Sequence, residues 1–271
     1  MSNIPISNKI PELDLAIKAA QEAGNKILKI YEKGFKTFTK TDNSPVTDAD
    51  LQSNKIIKEI LSVTKHSILS EEDVDDKTRL SNDIIWIIDP LDGTSDFIDK
   101  TGEFTVMIAL VQNQKPILGV IAWPTEKTLF VAQKNAGAFR YSDNKWEKIS
   151  VTKISELPKC RTIGSRHHLS DKEKDFIEKI GIKDFTSIGS SLKVGKISSG
   201  QAEVYITTTN KMKEWDTAAS HCIISEAGGK MTDMLGNELT YNNKNVYHEN
   251  GILVTNGLIH DKIVQEFKKL E

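Results

Sequence analysis

The stretch Trp86-Ile-Ile-Asp-Pro-Leu-Asp-Gly-Thr94 places two carboxylates, three residues apart, directly after an apolar run. An apolar run of this length predicts a buried strand. Because Pro90 has no N–H group to donate to a neighbouring strand, we expect the chain to leave the sheet there. Asp89 and Asp92 could then converge on a hard cation, with the backbone carbonyl of Leu91 between them.

The last two residues of this stretch have properties that suit an anionic ligand. Gly93 allows backbone N–H groups to approach an anion closely, and the Thr94 hydroxyl could orient a water molecule. Taken alone, the same residues are typical of a type I turn that binds nothing. The choice between a turn and a site therefore depends on the other carboxylates of the chain.

A second apolar run, Ile68-Leu-Ser-Glu-Glu-Asp73, also ends in acidic residues. Glu71 could supply a further metal ligand, and Glu72 could support it. The acidic residues that follow are expected to form a solvated loop, as acidic runs usually do; they are Asp73, Asp75 and Asp76.

Two more aspartates stand at predicted helix starts. Glu214-Trp-Asp-Thr-Ala-Ala219 opens a helical pattern, and Asp216 occupies the place where an N-cap is expected. Thr47-x-x-Asp50 has the pattern of a capping box. A carboxylate can cap a helix and also bind a metal or activate water, so both roles stay open for Asp50 and Asp216.

Composition limits the classes of protein to which the chain can belong. The chain has 271 residues, of which 38% are hydrophobic and 27% charged, as in an ordinary globular protein. A net charge of −2 offers no basic field for a nucleic acid polymer. The two cysteines, Cys160 and Cys222, lack the spacing of a zinc site or a disulfide framework.

The same features predict a protein of the cytoplasm. The start MSNIPISNKIPELDL lacks a basic segment followed by an apolar run, so we expect no signal peptide. No stretch approaches the roughly 18 apolar residues that a membrane-spanning helix needs. We expect no integral membrane segment, and the sequence leaves open peripheral association with the inner membrane and the oligomeric state.

Hydrophobic spacing divides the chain near residue 150. The pattern of residues 1–150 predicts an α+β metal-binding half. It begins with an amphipathic helix that ends at Gly34, followed by a polar loop from Lys40 to Pro45 and a second helix from Thr47. Its predicted strands are Ser67–Leu69, Ile84–Ile88, Phe104–Val111, Ile117–Trp123 and Leu129–Ala132.

Residues 151–271 predict an α/β half that contributes Asp216 and substrate contacts. The predicted strands are Arg161–Gly164, Ala202–Thr207 and Ile252–Thr255. They alternate with helices predicted at Ser170–Ile180, Ser190–Ser198, Asp216–Ala227 and Leu258–Leu270.

Taken together, these motifs resemble the inositol monophosphatase superfamily of magnesium-dependent, lithium-sensitive phosphatases. Its D-P-x-D-G-T and W-D-x-A signatures stand here as Asp89-Pro-Leu-Asp-Gly-Thr94 and Trp215-Asp-Thr-Ala218. Its acidic pair stands as Glu71-Glu72, and its V-T-x-x-D motif as Val46-Thr-Asp-Ala-Asp50. The four motifs occur in the expected order.

The resemblance implies a fold and a set of ligands. The fold is a layered αβαβα sandwich with the site between its two halves. Two or three Mg²⁺ ions would be bound by Glu71, Asp89, the Leu91 carbonyl, Asp92 and Asp216. Asp50 and Thr94 would activate the attacking water.

Within this superfamily the sequence is most similar to the CysQ-type 3′(2′),5′-bisphosphate nucleotidases. The matching stretches are Lys40–Asp50, Gly102–Val106, Lys115–Val120 and Gly189–Lys193. Two stretches depart from the branch, and both concern substrate contacts more than chemistry. Where the branch reads D-G-T-K-E-F this chain has Asp92-Gly-Thr-Ser-Asp-Phe97, and Glu249-Asn-Gly-Ile252 replaces N-P-x-F.

The similarity implies a small phosphorylated substrate, namely 3′-phosphoadenosine 5′-phosphate, which would be converted to AMP and phosphate. Amides of Gly93 and Thr94 would face the scissile phosphate. The candidates for binding the second phosphate are Ser165, Arg166, His167, Ser191 and Lys193.

Lys193 is the main cationic candidate, and it could instead be merely solvated. It is distant in sequence from every proposed metal ligand, so we expect it to act separately from them. Two other functions remain open: an inositol monophosphatase with the same core, and a catalytically inactive binding or regulatory protein on this fold.

Overall fold

Two large β-sheets separate three helical layers in residues 3–39 and 45–270, the part of the chain that the computed structural model describes. Most of the predicted polar loop, from Lys40 to Ser44, lies outside these residues. The first helices and strands are α1 (Pro11–Lys33), β1 (Thr37–Thr39), β2 (Pro45–Thr47), α2 (Asp48–Leu61), β3 (Ser67–Ser70), β4 (Ile84–Asp92) and α3 (Thr94–Ile98).

The chain continues through five hairpin-connected strands into the second sheet and its helices. The strands of the first sheet are completed by β5 (Thr105–Gln112), β6 (Lys115–Trp123), β7 (Thr128–Gln133), β8 (Gly137–Ser142) and β9 (Lys145–Ile149). The remaining elements are β10 (Arg161–Ser165), α4 (Asp171–Lys179), β11 (Asp184–Ile188), α5 (Leu192–Ser198), β12 (Val204–Thr207), α6 (Glu214–Glu226), β13 (Lys230–Thr232), β14 (Ile252–Thr255) and α7 (His260–Lys268).

The first sheet has seven strands in the order β3-β4-β5-β6-β7-β8-β9, and helices cover both of its faces. Only β3 and β4 are parallel, and the other neighbours are antiparallel. Successive side chains of a strand point to opposite faces. Trp86 and Ile88 of β4 therefore pack with α1 and α2, whereas Ile85 and Ile87 pack with α6.

The second sheet has five strands in the order β11-β10-β12-β14-β13. Tyr205 and Val254 face α5 and α6, in the core shared with the first sheet. Val204 and Leu253 face the outer helices α4 and α7. The layers are thus α1/α2, first sheet, α5/α6, second sheet and α4/α7, which confirms the predicted αβαβα sandwich.

The expectation that the chain leaves the sheet at Pro90 is wrong. Strand β4 continues to Asp92 across a register shift, because Asp89 pairs with Met107 and Asp92 pairs with Thr105. One extra residue of β4 is accommodated there, as in a β-bulge, and a bulge tolerates a residue that cannot donate to the ladder. The bulge redirects the chain at the point where the two carboxylates lie.

The boundary near residue 150 stays a prediction. The first sheet ends at Ile149 and the second begins at Arg161. However, α6 belongs to the later part of the chain and packs against β6 of the first sheet. Among the described residues, no helix combines the length and the apolar character that crossing a bilayer requires.

The contact between α6 and β6 depends on Gly119. A Cβ atom at this position would lie 2.4 Å from the carbonyl oxygen of Ala219 and 3.1 Å from Cβ of Cys222. The helix backbone lies directly on the strand there, and the missing side chain is what permits the close approach.

We therefore expect Gly119→Ala to lower the free energy of unfolding by about 1–3 kcal/mol, since overpacking forces the helix away from the sheet. Urea unfolding would measure this change. Gly164→Ala is the matched control, because its Cβ would meet the ring of Phe185, which is 39% exposed and can move. Equal losses for the two variants would contradict the close approach of α6.

Candidate active site

Three carboxylates from different elements meet at one end of the first sheet. Glu71 follows β3, Asp89 lies in β4 and Asp216 lies in the first turn of α6. Because β3 and β4 are parallel neighbours, with Ser70 paired to Ile88, Glu71 and Asp89 end side by side. One carboxylate oxygen of each residue lies within 4.8 Å of the others.

This carboxylate cluster is electrostatically unfavourable without a cation. Burial, followed by the charges of Glu71 and Asp92, raises the pKa of Asp89 well above its usual range. Burial and the charge of Glu71 raise the pKa of Asp216 to about 8. Closely spaced buried carboxylates resist ionisation unless a positive charge accompanies them.

Asp92 lies beside the cluster and is anchored by the second half of the chain. Its Oδ2 accepts hydrogen bonds from the backbone N–H of Ser191 and, at 3.2 Å, from Oγ1 of Thr105. Burial raises the pKa of Asp92, and the charge of Lys193 opposes that rise. The residues predicted as metal ligands thus lie in one region, with Asp92 supported from α5.

Asp50 and Thr94 contact each other, as their proposed joint role requires. Oγ1 of Thr94 lies 3.1 Å from Oδ1 of Asp50 and 3.3 Å from the carbonyl oxygen of Leu91. The other oxygen of Asp50, Oδ2, accepts from the backbone N–H and the hydroxyl of Thr47. Burial raises the pKa of Asp50 despite these hydrogen bonds.

Asp50 and Asp216 occupy equivalent positions in their helices. Asp50 is the third residue of α2 and completes a capping box with Thr47, as predicted. The expectation that Asp216 is an N-cap is wrong, because Lys213 is the N-cap and Asp216 is the third residue of α6. Oδ2 of Asp216 accepts the N–H of Lys213 at 2.6 Å, which fixes the orientation of the carboxylate.

The predicted anion contacts after β10 already have protein partners. Arg166 donates to Oε2 of Glu103 and lies 3.4 Å from Oδ1 of Asp96. His167 lies 3.3 Å from the same Asp96 oxygen. Oγ of Ser165 accepts the N–H of His168 at 3.2 Å, so the candidate site is a paired network rather than a free cationic surface.

The alternative that Lys193 is merely solvated is wrong, and its independence from the metal ligands stays a prediction. Its side chain is buried, with 8% exposure, and Nζ donates to the carbonyl oxygen of Ser190. Burial lowers the pKa of Lys193, and the charges of Asp92 and Asp96 act in the opposite direction. Although Lys193 is distant along the chain from Asp92, the N–H of Ser191, two residues before it, donates to that carboxylate.

Sequence reasoning missed the residues that hold the bulge of β4. Oγ of Ser53, in α2, donates to the carbonyl oxygen of Pro90 at 2.6 Å. Thr105 supports Asp92 and lies 2.7 Å from Oγ of Ser191. Ser53 lies three residues after Asp50 and therefore near the same helix face, which is the one signal the sequence offered.

The donor set of the cluster fits a hard divalent cation. The three residues that come within 4.8 Å of one another are all carboxylates. Oxygen-only ligands suit Mg²⁺, whereas zinc sites usually include histidine or cysteine. The buried negative charge described above is of the sign that such an ion would compensate.

Metal binding at this cluster is predicted to release protons. The folded-state pKa of Asp216, about 8, exceeds the value of about 3.9 expected in an unfolded chain. Between these values the folded protein without metal binds more protons than the unfolded chain, so its stability should fall as the pH rises. We expect Mg²⁺, compared with EDTA, to raise the melting temperature more at about pH 8.5 than at about pH 6, because the cation replaces the protons.

Differential scanning fluorimetry at the two pH values measures this linkage. Asp216→Asn is the control, because an amide has no proton to release; it should reduce the dependence on pH in EDTA, and Asp89 accounts for what remains. The same Mg²⁺ effect at both pH values in the wild-type protein would contradict the linkage.

Comparison with known proteins agrees with this geometry. The model of the inositol monophosphatase family matches residues 10–271. The 3′(2′),5′-bisphosphate nucleotidase CysQ of Escherichia coli strain K12 is 34% identical over 252 residues, which cover 90% of this chain and 99% of that protein. The corresponding protein of Buchnera aphidicola is 37% identical over 239 residues, or 84% and 87% of the two chains.

Solved structures extend the similarity to three dimensions. The crystal structure of CysQ from Bacteroides thetaiotaomicron has a TM-score of 0.78 at 34% identity, over 90% of this chain and 96% of that one. The structure of the Thermotoga maritima IMPase has a TM-score of 0.80 at 27% identity, over 96% and 98% of the two chains. A family match over almost the whole sequence, with the same fold and the carboxylates of the site in place, shows that the chain belongs to the inositol monophosphatase family.

Proposed function

We propose that this protein is a magnesium-dependent 3′(2′),5′-bisphosphate nucleotidase that converts 3′-phosphoadenosine 5′-phosphate to AMP and phosphate. The observation that carries the proposal is the convergence of Glu71, Asp89 and Asp216 on a space suited to a cation. Phosphatases of this family depend on metal ions, generally Mg²⁺. The similarity to CysQ proteins over most of the chain supports the choice of substrate.

The metal would be held by Glu71, Asp89, the carbonyl oxygen of Leu91, Asp92 and Asp216. Two or three Mg²⁺ ions bound there would supply Lewis-acid stabilisation of the phosphoryl oxygens and the leaving oxygen. Hydrogen bonds to these residues keep the ligands in position before the substrate binds. Ser191 and Thr105 hold Asp92, and the N–H of Lys213 holds Asp216.

Asp50 and Thr94 would prepare the attacking water. The Thr94 hydroxyl donates to Oδ1 of Asp50, so its oxygen remains able to accept a hydrogen bond from water. As the water attacks phosphorus, its proton would pass to Thr94 while the Thr94 proton passes to Asp50. The raised pKa of Asp50 suits a group that must accept a proton near neutral pH.

Gly93 provides the close backbone approach that the phosphate requires. Its φ of +88° is a left-handed conformation, and an added Cβ would lie 3.1 Å from Cβ of Ser190 and 3.2 Å from the carbonyl oxygen of Glu103. A side chain at this position would therefore be both strained and crowded. The amides of Gly93 and Thr94 are proposed to face the scissile phosphate.

The second phosphate is proposed to meet the side of the site formed by Ser165, Arg166, His167, Ser191 and Lys193. A phosphate there would compete with Glu103 and Asp96 for the Arg166 guanidinium. Binding would thus involve an exchange of anionic partners rather than the filling of an empty basic pocket. Such an exchange favours a dianionic phosphate over a neutral hydroxyl. Only the phosphate can replace the negative charge of the carboxylates from which Arg166 separates.

The two other functions are less well supported. An inositol monophosphatase would use the same carboxylates, and solved structures of that activity share the fold. The greater identity with CysQ proteins favours the nucleotidase. A catalytically inactive binding protein would have no need to keep Glu71, Asp89 and Asp216 together against their mutual repulsion.

A substrate comparison tests the proposal. With Mg²⁺ present, kcat/KM for 3′-phosphoadenosine 5′-phosphate should exceed that for inositol 1-phosphate by about tenfold or more, since one charged contact contributes roughly 1.5–3 kcal/mol. Asp89→Asn and Asp216→Asn should lose nearly all turnover of both substrates while keeping a native circular dichroism spectrum. A preference for inositol 1-phosphate would favour the monophosphatase, and no Mg²⁺-dependent turnover of either would favour the inactive protein.

A second test concerns the attacking water. Thr94→Ala should lower kcat by about 10²–10⁴-fold with little change in KM, because the hydroxyl acts on the nucleophile rather than on substrate binding. Thr94→Ser keeps the hydroxyl and should keep most of the activity. Steady-state kinetics distinguish the roles: a raised KM with unchanged kcat in Thr94→Ala would assign the residue to binding.

A further inference from the structure

Arg79 is a buried cation that contacts both halves of the chain. It precedes β4, and its exposure is 2%. Its Nε and Nη2 donate to the two oxygens of Asp75 at 3.1 and 2.8 Å. On its other side, Nη1 donates to Oδ1 of Asn242 at 2.7 Å and Nη2 donates to the carbonyl oxygen of Asn243 at 2.8 Å.

The two asparagines connect Arg79 to the start of α6. The backbone N–H groups of Asn242 and Asn243 donate to the two oxygens of Glu214 at 2.7 and 2.8 Å. Glu214 is the first residue of α6 and is 1% exposed. Because it lies two residues before Asp216, the loop at Asn242 and Asn243 supports the helix turn that carries a proposed metal ligand.

Asp75 connects Arg79 to the segment that carries Glu71. The expectation of a solvated acidic loop is wrong for this residue, whose side chain is 17% exposed and ion-paired with the guanidinium. Although burial opposes it, hydrogen bonds from Arg79 and Lys77 lower the pKa of Asp75. Asp73, in the same segment, accepts from Asn54 and Lys58 of α2.

We propose that Arg79 is a positioning residue that sets the separation of Glu71 and Asp216, through Asp75 on one side and the Asn242–Asn243–Glu214 contacts on the other. The inference rests on the metal-binding role given to these carboxylates in the proposed function. The two ligands come from different halves of the chain, and each is repelled by the other. A planar guanidinium can serve all four acceptors at once, which a lysine ammonium with three donors cannot.

The test measures binding of Mn²⁺ alone, through the electron paramagnetic resonance signal of the free ion. Arg79→Lys keeps the positive charge but loses the planar group that donates to all four acceptors. It should weaken Mn²⁺ binding by about tenfold or more, since residues that support metal ligands typically contribute 10–100-fold. Its turnover should recover in part as the Mg²⁺ concentration is raised, while KM for the phosphate substrate at saturating Mg²⁺ changes little.

Arg161→Lys is the matched control. Arg161 also makes a two-point ion pair with a buried carboxylate, that of Glu203, at 2.7 and 3.2 Å, and it donates to the carbonyl oxygen of Gly200. These partners lie in the segment just before β12, in the second half of the chain. Both variants should lower the melting temperature, but only Arg79→Lys should weaken Mn²⁺ binding.

Asn242→Ala gives an independent variant if Arg79→Lys does not fold. It removes the acceptor for Nη1 of Arg79 but keeps the backbone N–H bond to Glu214, so Mn²⁺ binding should weaken in the same direction by a smaller factor. Mn²⁺ binding within twofold of wild type, in whichever of these variants folds, overturns the inference and leaves Arg79 a purely structural residue. Wild-type protein that binds no Mn²⁺ overturns the proposed function itself, which is a distinguishable result.

Discussion

The repulsion between Glu71, Asp89 and Asp216 is the constraint on which the rest of the site depends. Burial and the charges of the neighbouring carboxylates raise the pKa values of Asp89 and Asp216. Such an arrangement persists only if the surrounding structure holds each group in place. The two sheets, the bulge of β4 and the first turn of α6 all act as supports for charges that would otherwise separate.

Three of the carboxylates are held in the same way. A backbone N–H group donates to one carboxylate oxygen and thereby orients the other oxygen. Asp216 and Asp50 each accept the backbone N–H of their own helix N-cap through Oδ2. Asp92 is held in the same way by the N–H of Ser191. A backbone donor cannot rotate away as a side chain can, so each acid is oriented at little entropic cost.

The local parts of the site could be predicted from the sequence, because strand ends and helix starts leave clear patterns. Asp89, Asp92, Asp50 and Asp216 were found in this way, and the family resemblance assigned their roles. Apart from the N-cap assignment of Asp216, which was a local error, the main errors concern what one segment meets in another. Pro90 stays in its strand because of a bulge, and the segment of Lys193 meets Asp92 through the N–H of Ser191. Strand β11 was missed because its side chains are largely exposed and lack an apolar pattern. Arg79 and Glu214 carry no local signature, since their partners lie far along the chain.

Helix α6 lies between the two sheets and is packed on both sides, and this has a consequence for how the chain folds. The apolar core that surrounds it contains residues of both sheets, such as Ile87 and Val254. Neither sheet can bury its inner face until the helix is in place, so the halves should form one cooperative unit rather than two independent domains. The catalytic centre is then assembled in the same event that completes the core.

For the same reason, large insertions in related chains should concentrate at the outer edges of the sheets, which are formed by β9, β11 and β13. Few contacts with a neighbouring layer depend on these edges.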